Sequence, residues 1–347
     1  MKPRIVVDVM GADRPPAELA AGAIRAAEKL PIQLILVGHR SDLPARLPDN
    51  VGVLDSARPA GHGESATRTA RRSDTSIGRG LDAVGRGEAD AFLSPGSTGA
   101  VVSAAILRLG RLPGVLRPGL CASLPTLNGE VLLIDAGATA DPKPAHLAQF
   151  ADLGVAYARE VLGIPSPTVG LLNIGTEQGK GDRVTREAHA LLSRRDRFAG
   201  NVEPHTILAT RPVDVVVSGG FAGNLFIKAV EGGAEAVLGS LNGTLRSSLR
   251  ARLGAWLARG ALRSVARQLR YEEHNAAPLL GITGLVTVAH GRSDARAMEG
   301  GLRRTYQACK AQIVTKLAGR FSSLSAEPEL ANPGDLRVRS AAPTEVP

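Results

Sequence analysis

Six short apolar runs in this sequence each end in a glycine-bearing polar turn, where most of the chemically capable side chains stand. The runs and turns read "VVDVMGAD", "FLSPGSTGA", "LLIDAGATADPKP", "LLNIGTEQGKGD", "VVVSGGFAGN" and "VTVAHGRSD". Glycine lets a ligand approach the backbone closely, and the unpaired N–H groups at the start of a following helix favour an anion. The set predicts an anion-binding site, although a plain strand-to-helix connection explains any single turn about as well.

Several catalytic motifs are absent from the sequence. The segment "GTEQGKG" has three residues between its first two glycines and no Ser or Thr after Lys180, so it is not a nucleotide-binding phosphate loop. There is no G-x-S-x-G motif, no G-x-G-x-x-G after the first apolar run and no His/Cys spacing typical of zinc. What remains is an anion pocket without a protein nucleophile. Inorganic phosphate attacking a thioester carbon would suit such a pocket.

The elements that must position these turns follow from the hydrophobic pattern. Val/Ile/Leu runs alternate with Ala- and Leu-rich helical segments, which is typical of a mostly parallel sheet covered by helices. Helices are predicted at 17–29, 76–87, 99–109, 144–162, 182–195, 224–238 and 293–317, and the last strand at 282–290. Because the carboxyl ends of strands in an open α/β sheet face one crevice, we expect all six turns on one rim.

The composition limits the size of the core, the class of partner and the expected location of the protein. The chain has 347 residues, of which 44% are hydrophobic, enough to bury one large α/β domain or two smaller lobes. The net charge of +9 favours acidic partners, but no basic, aromatic-interleaved motif indicates nucleic acid. Two distant cysteines and no apolar stretch of ~18 residues predict a cytoplasmic protein that could still touch a membrane surface. Residues 324–347 read as a disordered tail.

The order and spacing of six segments resemble the phosphate acyltransferases of bacterial phospholipid synthesis, up to about residue 320. The matching segments are "DVMGAD", "FLSPGSTGA", "DAGATADPKP", "GLLNIGTEQGKGD", "DVVVSGGFAGNLFIKAVEG" and "YEEHNAAPLLGITGLVTVAHGRSDARA". The resemblance implies a three-layer α/β/α Rossmann-like domain over residues 1–323, akin to phosphotransacetylases and isocitrate dehydrogenases.

The same resemblance implies an activity and partners. A fatty acyl group would pass from acyl carrier protein to inorganic phosphate, giving acyl phosphate for phosphatidic acid synthesis. The enzyme would be a homodimer with no metal or nucleotide cofactor. Its product would go to a membrane-bound glycerol-3-phosphate acyltransferase, so contact with the inner face of the cell membrane is expected.

The candidate site residues divide into catalytic and binding groups. Lys143 and Lys180 are expected to neutralise phosphate, Asn224 to donate to the thioester oxyanion, and His290 to exchange a proton with phosphate or the thiolate. The expected binding residues are Asp8, Gly11, Ser94, Ser97, Thr98, Gly99, Asp135, Asp141, Asn173, Gly175, Glu177, Gly220, Phe221, Gly223 and Lys228. Each role has a structural alternative: the lysines could face solvent, the asparagines could bridge loops, and the histidine could bond to a backbone carbonyl.

Three turns depart from the family pattern. The family reads S-A-G-N-T-G-A where this chain has Pro95 and Ser97, D-x-G-A-N-x-D where it has Thr139, and D-G-F-x-G-N where it has Gly219. These differences leave open a divergent paralogue with another acyl or nucleophile specificity, or a non-catalytic carrier-binding protein. A dehydrogenase-like enzyme acting on a phosphorylated small molecule is a further alternative.

An arginine-rich segment over residues 242–270 forms part of a helical insertion predicted at about 240–272. Its leucines recur at helical spacing, and Gly254 and Gly260 are expected to divide it into short helices. Such a basic amphipathic element suits an anionic membrane or an acidic carrier protein, while a dimer-packing hairpin is an equal alternative. The resemblance favours membrane contact combined with dimerisation, through Leu253, Trp256 and Leu257.

Overall fold

The computed structural model describes residues 2–56, 58, 66–269 and 276–325. Its strands are β1 (Arg4–Asp8), β2 (Gln33–Gly38), β3 (Val51–Asp55), β4 (Ala91–Ser94), β5 (Gly119–Thr126), β6 (Gly129–Ile134), β7 (Val169–Leu172), β8 (Phe198–Val202), β9 (Val215–Val217), β10 (Ala276–Leu280) and β11 (Leu285–Ala289). The predicted tail falls almost wholly on residues 326–347, which lie outside the described part.

The helices lie between these strands and after the last one. They are α1 (Pro16–Lys29), α2 (Ala66–Arg71), α3 (Ser76–Gly85), α4 (Thr98–Arg108), α5 (Pro144–Glu160), α6 (Arg183–Leu192), α7 (Pro204–Thr210), α8 (Gly220–Arg246), α9 (Leu249–Leu257), α10 (Arg259–Leu269), α11 (Ala295–Lys310) and α12 (Ile313–Ser325), with a short 3₁₀ helix at Arg40–Asp42.

The eleven described strands form one sheet in the order β3-β2-β1-β4-β11-β10-β5-β6-β9-β7-β8. The five strands from β3 to β11 are parallel, and so are the four from β6 to β8. Between these two groups lie three antiparallel pairings, β11–β10, β10–β5 and β5–β6. Since three reversals separate them, the two parallel groups run in opposite directions.

This reversal contradicts the expectation that all six turns share one rim. The turns after β1, β4 and β11 lie at one edge of the sheet, here called the upper edge. The turns after β6, β7 and β9 lie at the opposite edge, here called the lower edge. The sequence reasoning missed β5 and β10, which are the two strands that produce the reversal.

Helices cover both faces of the sheet, so the predicted three-layer α/β/α fold is confirmed. Helices α1, α5, α6, α11 and α12 pack on one face around a core cluster that includes Leu36, Phe150 and Leu302. On the other face α3 and α4 cover the first parallel group, while α7 and α8 cover the second.

Most predicted helices lie within a few residues of their expected bounds, but the prediction of one helix over residues 293–317 was wrong. It consists of α11 and α12, because the chain turns at Gln312 in the left-handed region with φ of 53°. The arginine-rich segment after α8 does divide into short helices, as predicted. The breaks lie at Ser247–Ser248 and at Ala258, whereas Gly254 and Gly260 lie inside α9 and α10. Among the described helices, none is long and apolar enough to cross a bilayer.

Candidate active site

The upper edge is organised around the carboxylate of Asp8, which is completely buried at the end of β1. Its oxygens accept hydrogen bonds from the Ser94 hydroxyl (2.7 Å) and the Met10 N–H (2.9 Å), and the Ser94 oxygen in turn accepts from the Gly96 N–H (3.0 Å). Burial raises the pKa of Asp8, while these donors act against the rise. Asp8 and Ser94 therefore join two turns rather than offering an open anion site.

Gly11 lets the turns after β1 and β4 come together at the upper edge, and a third turn lies against them. A Cβ on Gly11 would lie 2.7 Å from the Gly96 nitrogen, so the turns after β1 and β4 approach more closely than a side chain permits. The third turn joins them because the Asp13 N–H donates to the Gly291 carbonyl (2.8 Å). A Cβ on Gly291 would lie 3.9 Å from the Pro95 carbonyl oxygen. The turn that carries His290 thus lies against the approach to α4.

The amino terminus of α4 faces this junction. Ser97 is its N-cap residue, and the Ser97 side chain makes no capping hydrogen bond within the described part of the chain. Ser97 and Gly99 are exposed and Thr98 is half-buried. The first-turn N–H groups of this eleven-residue helix are therefore not satisfied by their own N-cap, and together with the helix dipole they favour an anion.

His290 is held as a neutral imidazole at the same edge. Its Nδ1 accepts a hydrogen bond from the Arg292 N–H at 3.1 Å, which assigns the ring hydrogen to Nε2. Burial lowers the pKa of His290, and the charges of Lys228 and Arg292 lower it further. Nε2 lies 3.7 Å from Oε2 of Glu231. The uncharged imidazole thus presents an N–H at Nε2, and the proton exchange expected of His290 stays a prediction.

Helix α8 brings charged groups to His290. The Lys228 ammonium is 3.9 Å from Oε2 of Glu231, whose pKa is raised by burial. One turn further along, Glu235 accepts a hydrogen bond from Arg292 at 2.7 Å. Glu231 was missed in the sequence because its nearness to His290 depends on the contact between α8 and the turn after β11. Its only local signal is the i, i+3 spacing from Lys228.

The lower edge contains a second buried carboxylate, that of Asp135 after β6. Its oxygens accept N–H bonds from Gly137 (3.0 Å), Ala138 (2.8 Å), Thr139 (2.6 Å) and, on β5, Leu120 (2.9 Å). Burial raises the pKa of Asp135 and these four donors oppose the rise. The turn therefore wraps its backbone N–H groups around its own aspartate, which leaves fewer of them for a ligand.

Helix α8 begins against the Asp135 turn. A Cβ on Gly220 would lie 2.7 Å from Oδ2 of Asp135, and one on Gly223 would fall well inside the contact distance of the Asp135 carbonyl. Asn224 lies beside Gly137, where a Cβ would be 3.6 Å from the Asn224 amide nitrogen. Asn224 and Phe221 are exposed, the latter by 70%. The two glycines of α8 thus serve close packing, while Asn224 stays accessible.

The turn after β7 is held together by Asn173. Its side chain bridges the loop, which is the alternative to a binding role given above for the asparagines. Its amide donates to the Lys180 carbonyl (3.1 Å), and its oxygen accepts from the Ile174 N–H (2.8 Å). Gly175 is buried, and a Cβ there would lie 2.8 Å from Oε2 of Glu177. The side chains of Glu177 and Lys180 are exposed, with 3.9 Å between their charged atoms.

A cationic group lies at the start of α5, also on the lower edge. The Lys143 N–H donates to Nδ1 of His146 at 3.0 Å, and the side chains of Asp141 and Lys143 are exposed. Burial lowers the pKa of His146, and the charges of Arg117, Lys143 and Arg111 lower it further. The sequence reasoning did not include His146, Arg117 or Arg111. The only local signal for Arg111 and Arg117 was the basic composition of residues 108–117.

The two edges are separated along α8, which begins at Gly220 on the lower edge and passes His290 at Glu231. Eleven residues at about 1.5 Å each place these points about 16 Å apart. The predicted residues Asp8, Gly11, Ser94, Ser97, Thr98, Gly99, Lys228 and His290 come together at the upper edge. The remaining predicted catalytic and phosphate-binding residues lie on the lower edge. Within one chain, Lys143 and Lys180 therefore do not lie beside His290.

Comparison with known proteins identifies relatives over nearly the whole chain. A family model described as "Fatty acid synthesis protein" matches residues 3–316. A phosphate acyltransferase of Desulfitobacterium hafniense is 38% identical over 333 residues, covering 94% of this chain and 100% of the relative. A phosphate acyltransferase of Thermus thermophilus is 40% identical over 330 residues, covering 92% and 99%.

Solved structures share the fold at low sequence identity. A phosphotransacetylase from Streptococcus pyogenes matches with a TM-score of 0.59 at 14% identity, over 89% of this chain and 94% of the other. A 4-hydroxythreonine-4-phosphate dehydrogenase from Klebsiella pneumoniae matches with a TM-score of 0.51 at 13% identity, over 91% and 100%. At such identities the similarity supports the architecture alone, and it does so for a transferase and a dehydrogenase alike.

Proposed function

This chain belongs to the fatty acid synthesis protein family, which includes the phosphate acyltransferases, and we propose that it transfers a fatty acyl group from acyl carrier protein to inorganic phosphate. It is an acyltransferase of lipid synthesis, and its products would be an acyl phosphate and the free carrier thiol. The dehydrogenase alternative has less support, because the dehydrogenase resemblance is limited to the fold.

The observation that carries the proposal is the upper edge. There the amino terminus of α4 adjoins the turn of His290, and the imidazole N–H and the Lys228 ammonium belong to the same cluster. Neither cysteine suits a nucleophilic role, because burial raises the pKa of Cys121 to about 12 and that of Cys309 to about 11. An incoming anion is therefore the natural nucleophile.

The chemistry then follows from positioning. Phosphate at the first turn of α4 is held by backbone N–H groups and faces the charge of Lys228. A phosphate oxygen forms a bond to the thioester carbon, and the Nε2–H of His290 donates to the oxyanion that develops on the carbonyl. When the C–S bond breaks, the electron pair leaves with the thiolate, which takes a proton from solvent. No general acid is required, since a thiolate is a good leaving group.

The proposal is tested by incubating the purified protein with carrier protein loaded with a hexadecanoyl chain, with and without phosphate, and following thiol release. We expect release that depends on phosphate and is at least about 100-fold slower in His290→Ala, the loss typical of removing one oxyanion donor. Carrier binding without release at any chain length would instead identify a non-catalytic paralogue.

We also propose that the enzyme is a cytoplasmic homodimer that touches the inner membrane face through α9. Leu253, Trp256 and Leu257 are 60%, 59% and 70% exposed, and the Arg259 guanidinium lies 5.5 Å from the Trp256 ring centroid. Exposed apolar side chains among arginines suit an anionic bilayer, where an acyl phosphate could pass to a membrane-bound glycerol-3-phosphate acyltransferase.

Vesicle sedimentation tests the membrane contact. The wild-type protein should sediment with vesicles that contain anionic lipid, and the double variant Trp256→Glu, Leu257→Glu should remain in the supernatant. Binding that persists in this variant, or without anionic lipid, would contradict the membrane role. A change of molecular mass in the variant would indicate instead that these side chains pack between protomers.

A further inference from the structure

An apolar groove of about 950 Å³ opens beside the upper edge, between β5, α7 and α8. Among the described residues β10 pairs with β5 only through Leu279 and Leu280, and Ala276 and Ala277, which do not pair with β5, line the groove. Its walls include Leu124, Leu208, Phe226, Val230 and Val237. Within the described part of the chain, Glu231 is its only acidic lining residue.

That one carboxylate marks the end of the groove nearest the reaction centre. Glu231 lies 3.7 Å from Nε2 of His290, and Ala276 pairs across the sheet with Ala289, the residue before His290. The groove therefore opens onto the upper edge, next to the imidazole. A molecule that lies in the groove can present its polar end to His290 while its apolar part stays against α8 and β5.

We propose that this groove holds the hydrocarbon chain of the acyl thioester, an inference that rests on the proposed acyl transfer. An alkyl chain needs an apolar surface beside the reacting carbonyl, and each buried methylene strengthens binding about fourfold. A second cavity of about 820 Å³ does not suit this role. Its lining includes Lys2, Asp90 and Lys310, and it lies where β1, β4 and β11 begin, away from the upper edge.

Gly233 in the wall of the groove supports this assignment. It lies in the interior of α8, where glycine is less favourable than alanine, and a Cβ there would meet nothing within 4 Å. The neighbouring Gly232 has equally open surroundings but does not line the groove. The two positions form a matched pair, because a larger side chain fits the fold at both and enters the groove only from position 233.

The test compares Gly233→Leu with Gly232→Leu on carrier protein loaded with octanoyl, dodecanoyl or hexadecanoyl chains. We expect Gly233→Leu to lower kcat/KM at least tenfold for hexadecanoyl substrate and less than threefold for octanoyl substrate. Gly232→Leu should keep the wild-type profile. An unchanged chain-length profile in Gly233→Leu would overturn the proposal. An equal loss at all lengths, together with a changed molecular mass by light scattering, would also overturn it and make the groove an interface between copies.

A direct binding measurement separates this inference from the proposed activity. Calorimetric titration with hexadecanoic acid should give binding to the wild type and to Gly232→Leu, with at least tenfold weaker binding to Gly233→Leu. If the wild type shows no phosphate-dependent thiol release, the proposed function fails while this titration still tests the groove. Equal affinity in all three proteins would refute an acyl-chain site here.

Discussion

Replacing His290 distinguishes a neutral hydrogen-bond donor from an acid or base. The His290→Ala change removes the Nε2–H that we assign to the oxyanion, and loss of one such donor lowers kcat by about 10²–10³. This corresponds to about 3–4 kcal/mol of transition-state stabilisation. His290→Gln offers an uncharged N–H at a similar reach from the backbone, so it should recover activity to within about tenfold of the wild type.

The pH dependence of the reaction provides an independent measure. Because the pKa of His290 is lowered by burial and by Lys228 and Arg292, the imidazole stays neutral through the range above its ordinary value of 6.5. Acidification through the lowered pKa would protonate Nδ1 against the Arg292 N–H that now donates to it. We therefore expect kcat to be flat with respect to this group near neutral pH and to fall on the acid side.

The stability of the folded protein, like kcat, should fall as the pH is lowered. The folded state binds fewer protons than the unfolded chain between the lowered pKa and 6.5, so the contribution of His290 to stability is complete above 6.5 and is lost at lower pH.

The assay for the role of His290 in catalysis is thiol release under saturating phosphate from about pH 5 to 9, for the wild type and both variants. Activity that rises as the imidazolium forms, with His290→Gln as inactive as His290→Ala, would refute the neutral-donor role.

Three further predictions concern other positions. Lys228→Gln should raise the KM for phosphate about tenfold while Lys180→Gln changes it less than threefold, because Lys228, unlike Lys180, lies beside His290; equal effects in steady-state kinetics would argue for a site shared between the edges. Gly223→Ala should lower the free energy of unfolding by about 1–3 kcal/mol in urea, because its methyl group would meet the Ser218 hydroxyl at 2.5 Å and the Asp135 carbonyl. Gly232→Ala, with open space around it, should instead raise stability by about 1 kcal/mol, and the same loss in both variants would disprove the packing argument. Ser97→Asn restores the family residue at the start of α4, so it should raise phosphate-dependent turnover, and stability should be unchanged because Asn and Ser are equally favourable at an N-cap position; a lower rate would show that this turn is adapted to Ser97.

Local periodicity was sufficient to predict most of the helices. Helix α1 was expected at 17–29 and begins at Pro16, and α4 was expected at 99–109 and begins at Thr98. These elements depend on apolar spacing and helix-start signals within a few residues, which can be read along the chain. The break between α11 and α12 could not be read in this way, because Gln312 adopts a positive φ although it is neither glycine nor asparagine.

The chemical side chains were also recognisable from sequence, but their roles were not. Asp8 and Asp135 stand in turns of the kind that bind anions, and each instead satisfies the N–H groups of its own turn. Whether such groups remain available to a ligand depends on side-chain placement and burial. Neither quantity is set by the spacing of residues in the turn.

The sequence by itself determined the family, the three-layer architecture and the turns that carry polar residues. Only the tertiary structure decided which of those turns lie together. The direction of each strand follows from pairing between distant segments, and β5 and β10 reverse that direction between the two halves of the sheet. Their antiparallel pairing separates Lys143 and Lys180 from His290, and the contact between α8 and the turn after β11 brings Glu231 and Lys228 to His290 instead.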